Sequence, residues 1–132
     1  MLIKSFVTRQ EVLTVDPEHT LSEAARGIWE RGVGSAVVLS GEGGPGIITE
    51  RDLLRAVADG ADPTSTKVGA YMTSNAVTIT VGWHVVDAAR TMIERGFRHL
   101  IVLDDAGEVV GMVSIRDMVR ALLEDKKRTL AG

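Results

Sequence analysis

No cysteine occurs among the 132 residues, which excludes disulfides, thiolate catalysis, iron–sulfur clusters and cysteine-based zinc sites. A thiol-free chain fits the cytoplasm, the expected location. Aromatic residues make up only 4% of the sequence, so there are few platforms on which unpaired bases could stack. There is no basic excess either. The formal net charge is −3, whereas general nucleic-acid binders carry a clustered positive face. Long apolar runs are absent: LIVL at 100–103 falls far short of the roughly 20 residues a membrane helix needs. The opening MLIKSFVTRQ lacks the sustained apolar core and small-residue cleavage site of a secretory signal. What remains, 45% hydrophobic and 25% charged residues, is the balance of an ordinary soluble globular protein.

What is present is present twice. Ala24-Ala25-Arg26 and Glu30-Arg31-Gly32 recur 64 residues later as Ala88-Ala89-Arg90 and Glu94-Arg95-Gly96. Past the next turn the offset becomes 65, and GIITERD at 46–52 is answered by GMVSIRD at 111–117. Self-similarity at a fixed period marks a structural repeat. The copies are assigned to residues 1–66 and 67–132, with ADGADPTSTK at 58–67 as linker. A copy of roughly 60 residues buries little surface alone, so the two are expected to share a core about a pseudo-twofold axis.

Each copy predicts strand, helix, strand, strand, helix. VLTV (12–15) and VTIT (77–80) are short and β-branched. Leu21, Ala24, Ala25, Ile28 and Trp29 fall on one helical face, as do Val85, Ala88, Ala89, Met92 and Ile93. Gly32 and Gly96 follow where a left-handed helix stop is expected. SAVVL and HLIVL suit buried strands, and Gly41, Gly43, Gly44 and Gly46 suit a hairpin turn. The closing helices pair Leu53, Leu54, Val57 and Ala58 with Met118, Val119, Leu122 and Leu123. EDKKRTLAG at the C-terminus is expected to fray. The fold class is α+β: tandem pseudo-twofold β-α-β-β-α repeats packed through their sheets.

The repeated junction carries the chemistry. Thr49 and Ser114 stand at helix starts, where amides without intrahelical partners and the helix dipole favour an anion such as phosphate. One turn on, Asp52 and Asp117 can each accept from two adjacent hydroxyls, as a ribose diol offers. Arg51 and Arg116 add phosphate partners. The same spacing also describes a capping box, in which the pair only satisfies the helix's own amides. Both readings stand on the residues alone.

The duplicated unit, each copy closed by Gly, two apolar residues, Thr or Ser, two residues and Asp, resembles the cystathionine-β-synthase (CBS) domain pair, or Bateman module, from about residue 7 to 124. VGAYMT (68–73) is similar to that family's lead-in, and FRHLIVLDDAGEVVGMVSIRD to its Arg-His strand, turn and closing motif. The resemblance implies adenosine-containing ligands (AMP, ADP, ATP or S-adenosylmethionine) held between the repeats, with no cofactor required. It assigns ribose to Asp52 and Asp117, phosphate to Thr49, Ser114, Arg51, Arg116 and Arg98, and adenine contact to Val12 and Val77. It also implies a disc-like homodimer, formed through helix faces carrying the Ala-rich stripes. The first copy departs from the pattern, with Gly34 where the second has Arg98 and an opening SFVTRQ without a clear lead-in. Unequal affinities are expected.

His19, His84 and His99 show no metal-ligand spacing, although His99 beside Arg98 is placed to face a phosphate. Trp29 is assigned to a core or oligomer interface, and Trp83 to a partly exposed helix start. With no nucleophile–base–orienter set, a non-enzymatic sensor acting on a partner protein in trans is expected, without membrane or nucleic-acid binding. The alternatives are a ligand-free assembly scaffold and, more weakly, a nucleic-acid module using Arg51/Arg55 and Arg116/Arg120.

Overall fold

A computed structural model of the protein describes residues 1–5, 7, 12–40 and 43–131, with side chains as far as Glu124. Gly41 and most of SFVTRQ lie outside the described residues. The elements follow the expected order twice: β1 (Thr14–Val15), α1 (Leu21–Arg31), β2 (Ser35–Val38), β3 (Gly46–Thr49) and α2 (Glu50–Ala58), then β4 (Thr78–Thr80), α3 (Val85–Arg95), β5 (His99–Leu103), β6 (Val109–Ser114) and α4 (Ile115–Ala131). The fold is α+β. Each sheet has three strands, with the first pair parallel and the second antiparallel. The extra residue of the second copy coincides with a bulge, where Val102 pairs with Gly111 but Leu103 with Val109.

Two compact units result, one of Val12–Ala76 and the other of Met1–Glu11 with Val77–Gly132. Sequence repeat and compact unit therefore do not coincide, because each lead-in joins the body of the other copy. Val68 N–H donates to His19 O and Gly69 N–H to Pro17 O, while Ile3 N–H donates to Trp83 O and Lys4 N–H to Val81 O. Leu21 N–H, the first amide of α1, donates to Thr66 O; Val85 N–H, the first of α3, donates to Met1 O. These are the same bonds at the repeat offsets. Ile3–Ser5 and Val68–Ala70 form matching 3-10 turns, and Ile3 and Val68 are fully buried. The first copy's lead-in, which sequence comparison missed, is Ile3-Lys4-Ser5-Phe6-Val7-Thr8. A change from Val to Ile and from Met to Val hid it.

The two cores are built from corresponding positions. Leu21, Ala24, Ile28, Ala36, Val38, Ile48 and Ala56 pack in one unit, and Val85, Ala88, Met92, Leu100, Val102, Val113 and Ala121 in the other. Burying each large side chain contributes about 1.5–3 kcal/mol. Ala24, Ala88 and Ala89 lie inside these cores and Ala25 is half-buried, which corrects the assignment of the alanine stripes to a dimer face. The expected apolar face of the closing helices also shifts. Leu54, Val57, Val119, Leu122 and Leu123 are exposed, whereas Ala56, Met118 and Ala121 are buried. A helix resting on one sheet covers one stripe, and these helices are apolar on more than one side. Trp29 points outward at 85% exposure, while Trp83 packs against the core. α4 continues to Ala131.

Gly46 shows why the closing motif begins with glycine. A Cβ there would lie 2.5 Å from Met72 Cε and 2.7 Å from the Thr73 carbonyl oxygen, because the lead-in pairs with β3 through Ile47 and Thr73. Gly46→Ala is expected to cost about 1–3 kcal/mol through overpacking. Ile48→Ala, which empties a core position, is expected to cost about 2–5 kcal/mol. Chemical denaturation of both variants checks the pair; a neutral Gly46→Ala would contradict the lead-in packing.

Candidate functional site

The two junctions are alike in how their strands end and their helices begin. Thr49 ends β3 opposite Ser35, and Ser114 ends β6 opposite His99. The first helical amide in each copy donates to the residue just before the middle strand: Glu50 N–H to Gly34 O, and Ile115 N–H to Arg98 O, both at 2.9 Å. The sheet thus brings Arg98, His99, Ser114 and Asp117 together in one unit, and Gly34, Ser35, Thr49 and Asp52 in the other. Arg51, Arg116 and Arg98 are exposed, and Val12 and Val77 are half-buried just before their strands. His99 is engaged within the protein.

Both junctions are closed capping boxes. Asp52 N–H donates to Thr49 Oγ1 at 3.2 Å, and Asp52 Oδ2 accepts from Thr49 N–H at 2.9 Å and from its hydroxyl at 3.1 Å. Asp117 N–H donates to Ser114 Oγ at 3.1 Å, and Asp117 Oδ2 accepts from Ser114 N–H at 2.8 Å. Aspartate therefore reaches far enough to close the box in both copies. The first and third amides of each closing helix are already satisfied, leaving the amides of Arg51 and Arg116 as the open donors of the first turn.

The remaining carboxylate oxygen distinguishes the copies. Asp52 Oδ1 lies 3.6 Å from Arg55 Nη2, and Arg55 is itself held by two groups. Its Nη2 donates to Tyr71 O at 3.2 Å, and its guanidinium sits 5.0 Å from the centre of the Tyr71 ring, a cation–π distance. Tyr71 in turn donates its hydroxyl to Asp59 Oδ2 at 3.0 Å. That bond, aided by burial, raises the phenol above its ordinary pKa. Sequence reading found the arginine but not this seat, because Tyr71 belongs to the lead-in and stands 16 residues away. Asp117 Oδ1 meets no ion-pair partner among the described residues.

Comparison with known proteins gives the family. The CBS domain model matches twice, at residues 3–59 and 68–124. The chain belongs to the CBS domain family. An uncharacterised 17.7 kDa protein of Acidianus ambivalens is 38% identical over 121 residues, 91% of this chain and 73% of the relative. A solved CBS domain protein from Pyrobaculum aerophilum, complexed with AMP, superposes with a TM-score of 0.83 at 28% identity, covering 95% of this chain and 97% of that one. CBSX2 in complex with AMP superposes with a TM-score of 0.76 at 26% identity, covering 95% and 98%. Other CBS relatives are longer; the chain spans 59% of one from Methanopyrus kandleri, which is 34% identical over 116 residues.

Elsewhere this CBS chain offers little competing chemistry. Among the described residues, no group of three or more His, Asp or Glu side chains is placed to hold a metal. His19 Nδ1 accepts from Asp16 N–H at 2.9 Å, and His84 precedes α3 without a side-chain cap bond. No helix of the described residues is long and apolar enough to cross a membrane.

The boxes have a measurable energetic role. Thr49→Ala and Ser114→Ala are each expected to cost about 0.5–2 kcal/mol. Exchanging the hydroxyls, as Thr49→Ser and Ser114→Thr, is expected to be nearly neutral. Thermal unfolding of the four variants checks this; equal losses in all four would show that something other than the hydroxyl is responsible.

Proposed function

We propose that the protein is a non-catalytic regulatory module that binds an adenosine-containing ligand (AMP, ADP or ATP, or S-adenosylmethionine) and acts on a partner protein in trans. Asp117 and Asp52 accept from the ribose hydroxyls. Ser114, Thr49, Arg116, Arg51 and Arg98 meet phosphate, and Val12 and Val77 meet adenine. The observation that carries this reading is the Asp117 carboxylate. One oxygen is committed to the box, and the other lies outside it with no ion-pair partner among the described residues. A carboxylate oxygen accepts through two lone pairs, so the box and a diol are compatible. Support also comes from the two solved CBS proteins that hold AMP. Ligand then biases the protein by the difference of its affinities for two conformations.

The same closed boxes favour a second reading, a scaffold whose junctions are helix caps and nothing more. Thermal unfolding against AMP, ADP, ATP, S-adenosylmethionine, NAD and GTP separates the two. At 100 times its dissociation constant a ligand adds about 2.7 kcal/mol, a shift of several degrees for a chain of this size. The shift is expected with adenosine ligands and is expected to shrink in Asp117→Ala, measured from that variant's own ligand-free midpoint. No shift with any of the six, in folded and ligand-free protein, supports the scaffold.

We further propose a homodimer, formed through the exposed apolar helix faces rather than the alanine stripes. Trp29, Leu54 and Val57 in one unit and Ile93, Val119 and Leu123 in the other are exposed, and clustered exposed apolar side chains mark association surfaces. Sedimentation is expected to give twice the chain mass, falling to one chain in Ile93→Glu with its secondary structure intact. A monomeric wild type would contradict it.

A further inference from the structure

We infer that Arg55 is an internal competitor for Asp52, so that of the two repeated carboxylates Asp117 takes the nucleotide more tightly and Asp52 is the attenuated site. The inference rests on the nucleotide-binding reading above and assigns it a direction. Asp52 has one oxygen in the capping box and the other facing Arg55 at 3.6 Å. A ribose diol arriving there must share or displace the guanidinium. Displacement is opposed by the Tyr71 carbonyl at 3.2 Å and the Tyr71 ring at 5.0 Å, which also hold the arginine.

Among the described residues, no ion pair restrains Asp117. Arg120, at the position matching Arg55, makes no ion pair with it among the described residues, although the two have the same spacing along the helix. Two neighbours reinforce the difference. Where the second copy has exposed Arg98 ahead of its middle strand and Ile115 as first helical residue, the first has Gly34 and exposed Glu50. The Asp52 junction is therefore less favourable to a phosphorylated ligand as well as partly occupied by its own arginine.

The test is calorimetric titration of AMP into the wild type, Arg55→Gln, Asp52→Asn, Asp117→Asn and Tyr71→Phe, each checked for folding by circular dichroism. Wild type is expected to show a tight and a weak phase. Asp117→Asn is expected to remove the tight one, and Asp52→Asn only the weak one. Arg55→Gln is expected to tighten the weak phase about two- to fivefold, the scale of one exposed ion pair, and leave the tight phase unchanged. Tyr71→Phe keeps the ring and the carbonyl, and is expected to leave both phases as they are. Loss of the tight phase in Asp52→Asn would overturn the inference. So would weaker binding in Arg55→Gln, which would make Arg55 a ligand contact, or no change in that variant. Absence of AMP binding in wild type and Arg55→Gln alike would contradict the nucleotide reading itself.

Discussion

Every helix begins with amide groups that have no partner inside the helix, and the way this chain satisfies them organises both compact units. At α1 and α3 the first amide meets a carbonyl just ahead of a lead-in, Thr66 O for Leu21 and Met1 O for Val85, and at α1 Thr20 Oγ1 also accepts from Glu23 N–H. At α2 and α4 the acceptors are a carbonyl at the edge of the middle strand and a side-chain hydroxyl three residues before an aspartate. The first solution attaches each lead-in to the body of the other copy. The second places a carboxylate at the start of each closing helix, with one oxygen turned to the backbone. The connection between the copies and the candidate site thus both follow from the demand that buried or half-buried donors be paired.

The motif glycine belongs to the same arrangement. Gly46 is needed because Met72 and Thr73 cross directly over it, and Thr73 pairs with Ile47. The closing motif and the lead-in are therefore parts of one contact. Through Tyr71 and Arg55 that contact extends to Asp52, so a ligand that moves Arg55 acts on the segment joining the two repeats. Each individual tie is weak, since an exposed ion pair is worth about 0–1 kcal/mol.

Much of this was legible in the sequence. The duplication, the element order, the helix-stopping glycines and the hydroxyl-to-aspartate spacing are local patterns, and local patterns survive without a structure. The left-handed conformations of Gly32 and Gly96 required only their position after a periodic stretch. What was hidden depended on contacts far apart in the chain. The seat of Arg55 on Tyr71 is one such contact, and the exchange of lead-ins is another. The lead-in at Ile3 was obscured because burial constrains shape more than identity, so that Ile3 and Val7 fill the places of Val68 and Met72. The closing helices misled for a related reason. Leu54 and Val57 are as apolar as any core residue, and only the sheet decides which stripe it covers.

Nuclear magnetic resonance titration of the backbone amides with AMP tests the central claim most directly, because it reads the repeated junction itself rather than global stability. Saturable shifts are predicted at Ser114–Asp117 and at Arg98, with later and weaker shifts at Thr49–Asp52. Spectra in which these amides stay fixed, or in which the response lies elsewhere in the chain, would contradict the account.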